Sequence, residues 1–88
     1  MASMIVEYDL CSPGRDYEEL YKAIKSYPIY APITESTWYI KTDETCVQVR
    51  DKLKAHVDKN DRIFVVALSG VAAWRNILCD SEYLKENL

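Results

Sequence analysis

Glycine is scarce in this 88-residue chain, which has only Gly14 and Gly70. Two isolated glycines cannot form a glycine-rich loop that cradles phosphates. Histidine is scarcer still. His56 stands alone, and no serine elbow of the G-x-S-x-G kind accompanies it, so a hydrolase triad has no visible parts. The three cysteines, Cys11, Cys46 and Cys79, form no C-x-x-C or C-x-x-H pair. That spacing excludes the common zinc and dithiol motifs and points to reduced thiols in a cytoplasmic protein. No apolar run approaches the ~20 residues of a membrane span. The opening residues meet Glu7 and Asp9 with no basic stretch before them, unlike a secretory signal. Basic charge is also short: 11 Lys and Arg stand against 14 Asp and Glu, for a net charge of −3.

What is present is a globular composition, 49% apolar and 28% charged, enough for one domain with one small core. Met4 to Leu10 reads as a strand ended by the turn Ser12-Pro13-Gly14. Asp16 and Glu19 match a capping box. Tyr17, Leu20, Tyr21 and Ile24 then repeat at helical spacing, and Tyr27-Pro28 stops the helix. Ile29 to Thr34 contains Pro32 and can only be an edge or irregular strand. Ser36 to Thr42 is a second strand of the same hairpin, with Trp38 and Ile40 on one side and Thr37 and Tyr39 on the other. Thr42 or Asp43 is the expected cap of a second helix carrying Cys46, Val49, Leu53 and Val57 on one face. Ile63 to Leu68 is continuously apolar, the pattern of a central strand covered on both faces. Residues 71–78 have no clear period. Asp80 or Ser81 begins a short last helix.

The order βαββαβ is the ferredoxin-like plan, a four-stranded antiparallel sheet with two helices on one face, here with a short C-terminal helix. The chain is one domain over residues 1–88. Phe64 and Val66 are expected to face the helices. Several of Val6, Tyr8, Trp38, Val65 and Ala67 are then expected on an open sheet face. Open apolar surface of that kind calls for a partner, and a two-fold homodimer is the simplest one.

For chemistry the candidate is Asp9. It ends the first strand, where a carboxylate can take a hard cation such as magnesium. A two-fold axis nearby would supply a second copy. The charge pattern argues against tight nucleic-acid binding. Residues 1–20 hold five carboxylates against Arg15, and residues 41–62 interleave six basic with five acidic groups, whereas nucleic-acid surfaces are basic patches.

Several segments resemble one family. Met4-Ile5-Val6-Glu7-Tyr8-Asp9-Leu10 is similar to the first strand of the second CRISPR-associated protein (Cas-two), which ends in Tyr-Asp and an aliphatic residue. Ser36-Thr37-Trp38-Tyr39-Ile40 is similar to its third strand. Glu35 to Trp38 and Leu68 to Trp74 resemble segments of small Cas-two-like proteins of bacteria and phages, in a superfamily that includes the virulence-associated protein D toxins. The resemblance spans residues 4–74. It implies a ferredoxin-like homodimer with Asp9 of each subunit near the axis, as catalytic residue and magnesium ligand of an endoribonuclease or nuclease. The chain departs from the family in its acidity and in having only Arg15 soon after the first strand. Two other functions fit the same residues: a non-enzymatic structural or adaptor dimer of CRISPR, toxin–antitoxin or phage context that docks another protein, and regulatory nucleic-acid binding without cleavage.

Overall fold

A computed structural model describes residues 1–11 and 16–88. The turn expected at Ser12-Pro13-Gly14, and Arg15 after it, lie outside the described residues. The elements follow in the order β1 (Ala2–Asp9), α1 (Glu18–Lys25), β2 (Ile29–Thr34), β3 (Thr37–Thr42), α2 (Cys46–Lys54), β4 (Arg62–Ala67) and α3 (Ser81–Asn87). The strands form one antiparallel sheet in the order β2-β3-β1-β4. This is the expected ferredoxin-like fold, with α1 and α2 on one face and α3 added.

The helix caps differ from the sequence expectation. Tyr17, not Asp16, is the residue before α1, and its side chain makes no capping bond. Asp16 instead accepts the Glu18 N–H at 2.9 Å, and Glu19 takes Lys22 rather than closing a box. The box belongs to α2, three residues beyond Thr42. Thr45 accepts the Gln48 N–H, and Gln48 accepts the Thr45 N–H in return. Both donors at that helix start are thereby satisfied. The proline strand behaves as expected: β2 lies at the sheet edge and its register slips between Pro32 and Thr34.

Two corrections concern which way the strands face. The helix-covered core contains Met4, Val6 and Tyr8 from β1, Ile40 from β3, Leu20 and Ile24 from α1, and Val49 and Leu53 from α2. Trp38, Ile63 and Val65 pack against it. The residues expected on an open face therefore lie largely beneath the helices. Trp38 donates its Nε1–H to the Tyr8 hydroxyl at 3.0 Å, and that hydroxyl donates to the Glu35 carbonyl. The opposite face is not bare either. The chain after β4 folds back across it, and Leu84, Trp74, Ile77 and Leu88 pack over Ala31, Tyr39, Ile5 and Ile33.

The second correction is β4, which is an edge strand and not a central one. Its Ile63 and Val65 face the helices, so the alternation of a strand sends Phe64 and Val66 to the other side. The returning tail does not reach them: Phe64 is 63% exposed and Val66 37%. A continuous apolar run reads as a doubly covered strand only if both faces find cover, and here one face of β4 does not. Phe64→Ala is consequently expected to change stability by no more than ~0.5–1 kcal/mol, as for surface sites. A thermal melt within a few degrees of wild type checks it.

Tyr27 links α1 to the start of α2 by donating to Glu44 Oε1 at 2.8 Å. Burial, reinforced by Glu44, pushes its phenol well above the ordinary tyrosine range, and burial raises Tyr8 as well. An unfolded phenol ionises near pH 10 while these keep their protons in the fold. Above that pH the unfolded state binds fewer protons than the native one, so stability falls as pH rises. Denaturant midpoints should hold steady up to about pH 9.5 and then decline. Tyr27→Phe should flatten the decline.

Candidate functional site

Asp9 sits where the sequence places it, at the end of β1. The register sets it opposite Arg62, the first residue of β4. Arg62 Nη1 donates to Asp9 Oδ2 at 2.8 Å, and both side chains are largely exposed. A surface pair of this kind contributes about 0–1 kcal/mol, so it orients the carboxylate more than it stabilises the fold. The same guanidinium lies 3.5 Å from Cys11 Sγ.

Strand alternation puts Glu7 on the same face as Asp9, and Phe64 on the same face as Arg62. Glu7 stands opposite Phe64 in the ladder. Together they line a shallow hollow of about 420 Å³ at the β1–β4 end of the sheet. Two carboxylates, one arginine and an exposed aromatic ring thus share a surface beside the tail-covered area. Sequence reasoning found Asp9 but not Glu7, Arg62 or Phe64. The i, i+2 relation of Glu7 to Asp9 was readable. The Arg62 partnership depended on β4 lying next to β1.

The metal expectation can be compared with this geometry. Magnesium is held by one or two carboxylates with substrate phosphates completing the sphere. Asp9 and Glu7 meet that minimum, with Asp9 already engaged by Arg62. Among the described residues no group of three or more His, Cys, Asp or Glu side chains is placed to hold a metal ion.

Below this surface Asp61 ties the site together. Its carboxylate accepts the Cys11 N–H at 2.7 Å, the Asp58 N–H at 2.8 Å and the Tyr17 hydroxyl at 3.0 Å. One side chain thereby joins the residues after β1, the turn before β4 and the start of α1. Charge-assisted bonds of this type are the stronger ones, and they fix the base on which Asp9 and Arg62 stand. His56 lies just past α2 with its N–H on the Leu53 carbonyl. All three cysteines are free thiols, and burial raises the pKa of Cys79.

No family model matches the chain. Among the described residues no helix is long and apolar enough to cross a membrane. No buried side-chain nitrogen or oxygen among them lacks a partner, so the interior presents no unmet polar group to a ligand. The candidate chemistry is confined to the surface.

Proposed function

We propose that the chain is a cytoplasmic, non-enzymatic adaptor that works as a homodimer, its subunits packing through the strip of sheet face left uncovered beside the tail. The observation that carries this reading is Phe64, 63% exposed, two residues from Val66, 37% exposed, on the part of the sheet face beside the tail. A two-fold axis at Phe64 would set each ring against its mate. It would also bring the Asp9–Arg62 pair of each subunit to the rim, where charges of opposite sign can alternate across the interface. The likeness to Cas-two proteins supports the dimer through the element order and the strands carrying Tyr8-Asp9-Leu10 and Ser36 to Ile40.

A second reading is favoured by Glu7, Asp9 and Arg62 sharing one face: magnesium-dependent cleavage of a nucleic acid. There Asp9, helped by Glu7 and by the same residues of a second subunit, would hold the ion. Arg62 would face the phosphate. Bound magnesium would polarise the phosphate and acidify a water. The acidic chain attracts a polyanion poorly, which is why the adaptor reading stands first. It also sets aside regulatory nucleic-acid binding.

Sedimentation at tens of micromolar should show a dimer for wild type and a folded monomer for Phe64→Asp; a monomeric wild type removes the homodimer. In parallel, RNA and DNA substrates incubated with magnesium or manganese should stay intact. Metal-dependent cutting that Asp9→Asn abolishes would select the nuclease reading instead.

A further inference from the structure

The outer edge of β4 carries unpaired main chain. The Leu68 N–H bonds the Ser3 carbonyl at 2.8 Å, one step beyond the Met4–Ala67 pair. Residues of an antiparallel strand alternate between bonding one neighbour and the other. Phe64 and Val66 therefore bond β1, and Ile63, Val65 and Ala67 turn their N–H and C=O groups outward. Among the described residues no strand lies beyond them.

The two edges of the sheet differ. The far edge, β2, holds Pro32 and a register slip before Thr34, and both features keep a further strand from adding. β4, Arg-Ile-Phe-Val-Val-Ala, has no proline, no lysine and no bulge. Its one charge, Arg62, is held by Asp9 at 2.8 Å. The neighbouring helix adds no net charge. Arg50 pairs with Asp51 at 2.9 Å, and Lys54 and Lys59 line the α2–β4 hollow together with Asp58 and Asp61. A strand that approaches this edge therefore meets no excess of either sign. An ionic segment gains nothing there, and a like copy is not repelled.

We infer that the occupant is β4 of a second copy, paired antiparallel about a two-fold axis at Val65, so that two four-stranded sheets become one continuous sheet. The inference rests on the homodimer reading and gives that dimer its geometry. Hydrogen bonding restricts the register, because an outward-bonding residue must face another of its kind. With Val65 facing its counterpart, Ile63 faces Ala67 of the other copy, and each outward group of the strand finds a partner. An axis at Phe64 itself would leave Ala67 facing Asp61, which lies before the strand. The Val65 register also sets Phe64 against Val66 of the other copy, an aromatic beside a β-branched residue, which is a favourable cross-strand pair. The two Phe64 rings then lie on the diagonal, within reach of each other. Arg62 faces Leu68, so no like charges stand opposite. On the helix side Val65 lies against its counterpart, next to a hollow of about 220 Å³ whose lining includes the exposed Val47.

Symmetry favours a second copy over a foreign strand. The two residues left bare on β4, Phe64 and Val66, cover one another only when the partner strand repeats them. The contact also closes. An isologous pairing uses the open edge of both copies, and the outer edges that remain are the two β2 strands with their prolines. The product is a dimer and not a fibre.

Residue-resolved amide exchange on the full chain, over a dilution series followed by sedimentation, tests the pairing. The amides of Ile63, Val65 and Ala67 should exchange at least about tenfold more slowly in the dimer than in the diluted monomer. Ala67→Pro removes an outward N–H at an exposed residue and leaves Phe64 and Val66 in place. It should keep the circular dichroism of the fold and weaken the dimer at least about tenfold. If Ala67→Pro unfolds, exchange in the wild type decides alone. A wild-type dimer whose three amides exchange as fast as in the monomer overturns the edge pairing and leaves a homodimer packed through its faces. A wild type that stays monomeric at tens of micromolar removes the homodimer and this geometry with it. The pairing is also overturned if Ala67→Pro folds and dimerises like the wild type. Amides already slow in the monomer would overturn it too, because a segment of the same chain would then occupy the edge.

Discussion

Leu84→Asp is expected to destabilise the protein by about 3 kcal/mol or more. Leu84 is 4% exposed and is the buried residue through which α3 packs on the sheet. The substitution removes the apolar contact and sets a carboxylate over Tyr39 and Ala31. For a domain of this size each kcal/mol moves the melting point by about 4–8 °C. The melt should fall by well over about 10 °C and should broaden if the tail detaches before the sheet melts. A melt unchanged within a few degrees would mean that the tail does not contribute to the fold, and the sheet face would then be open after all.

Tyr39→Ala should be at least as severe, costing ~3–5 kcal/mol. Tyr39 is the largest fully buried side chain among the described residues. Its ring fills the space between β3 and the returning tail. Its hydroxyl lies 2.6 Å from Ser3 Oγ and donates to the Asn87 carbonyl at 2.9 Å. Lys41 Nζ donates to that same carbonyl at 2.7 Å, so the end of α3 is held by two side chains of β3. Tyr39→Phe separates the two contributions. It keeps the ring and loses the hydroxyl, for about 1–2 kcal/mol. Denaturant titrations of the pair should rank Ala well below Phe, with Phe between Ala and wild type. Equal losses would assign the whole effect to the hydrogen bonds.

The elements were legible because their signals are local. The helical spacing of Leu20 and Ile24, and of Val49 and Leu53, marks the faces that are buried, and the prolines placed β2 at an edge. Facing was not legible. Val6, Tyr8 and Trp38 look like exposed-face residues only if the helices are set on the other side. Period-two alternation fixes which residues travel together but not which group is covered. The tail escaped notice for a related reason. Residues 71–78 adopt no regular structure, and Trp74 and Ile77 reach the sheet from an irregular path that includes a positive φ at Gly70 and Asn76. At the candidate site, Asp9 was visible from its strand end. Arg62 was not, because its partnership spans 53 positions and exists only once β4 docks beside β1.

The tail has a consequence for how this protein fails. Its covering of Ala31, Tyr39 and Ile5 relies on side chains, joined to the main chain of the sheet by the Leu78 N–H on the Ile33 carbonyl. Segments held in this way open on their own, at a lower free energy than the whole fold. Each opening uncovers apolar residues of three adjacent strands at once, next to the already bare Phe64. The concentration at which the protein aggregates is then set by the opening equilibrium of the last dozen or so residues. Global stability measured by a melt is the wrong predictor of shelf life for this chain.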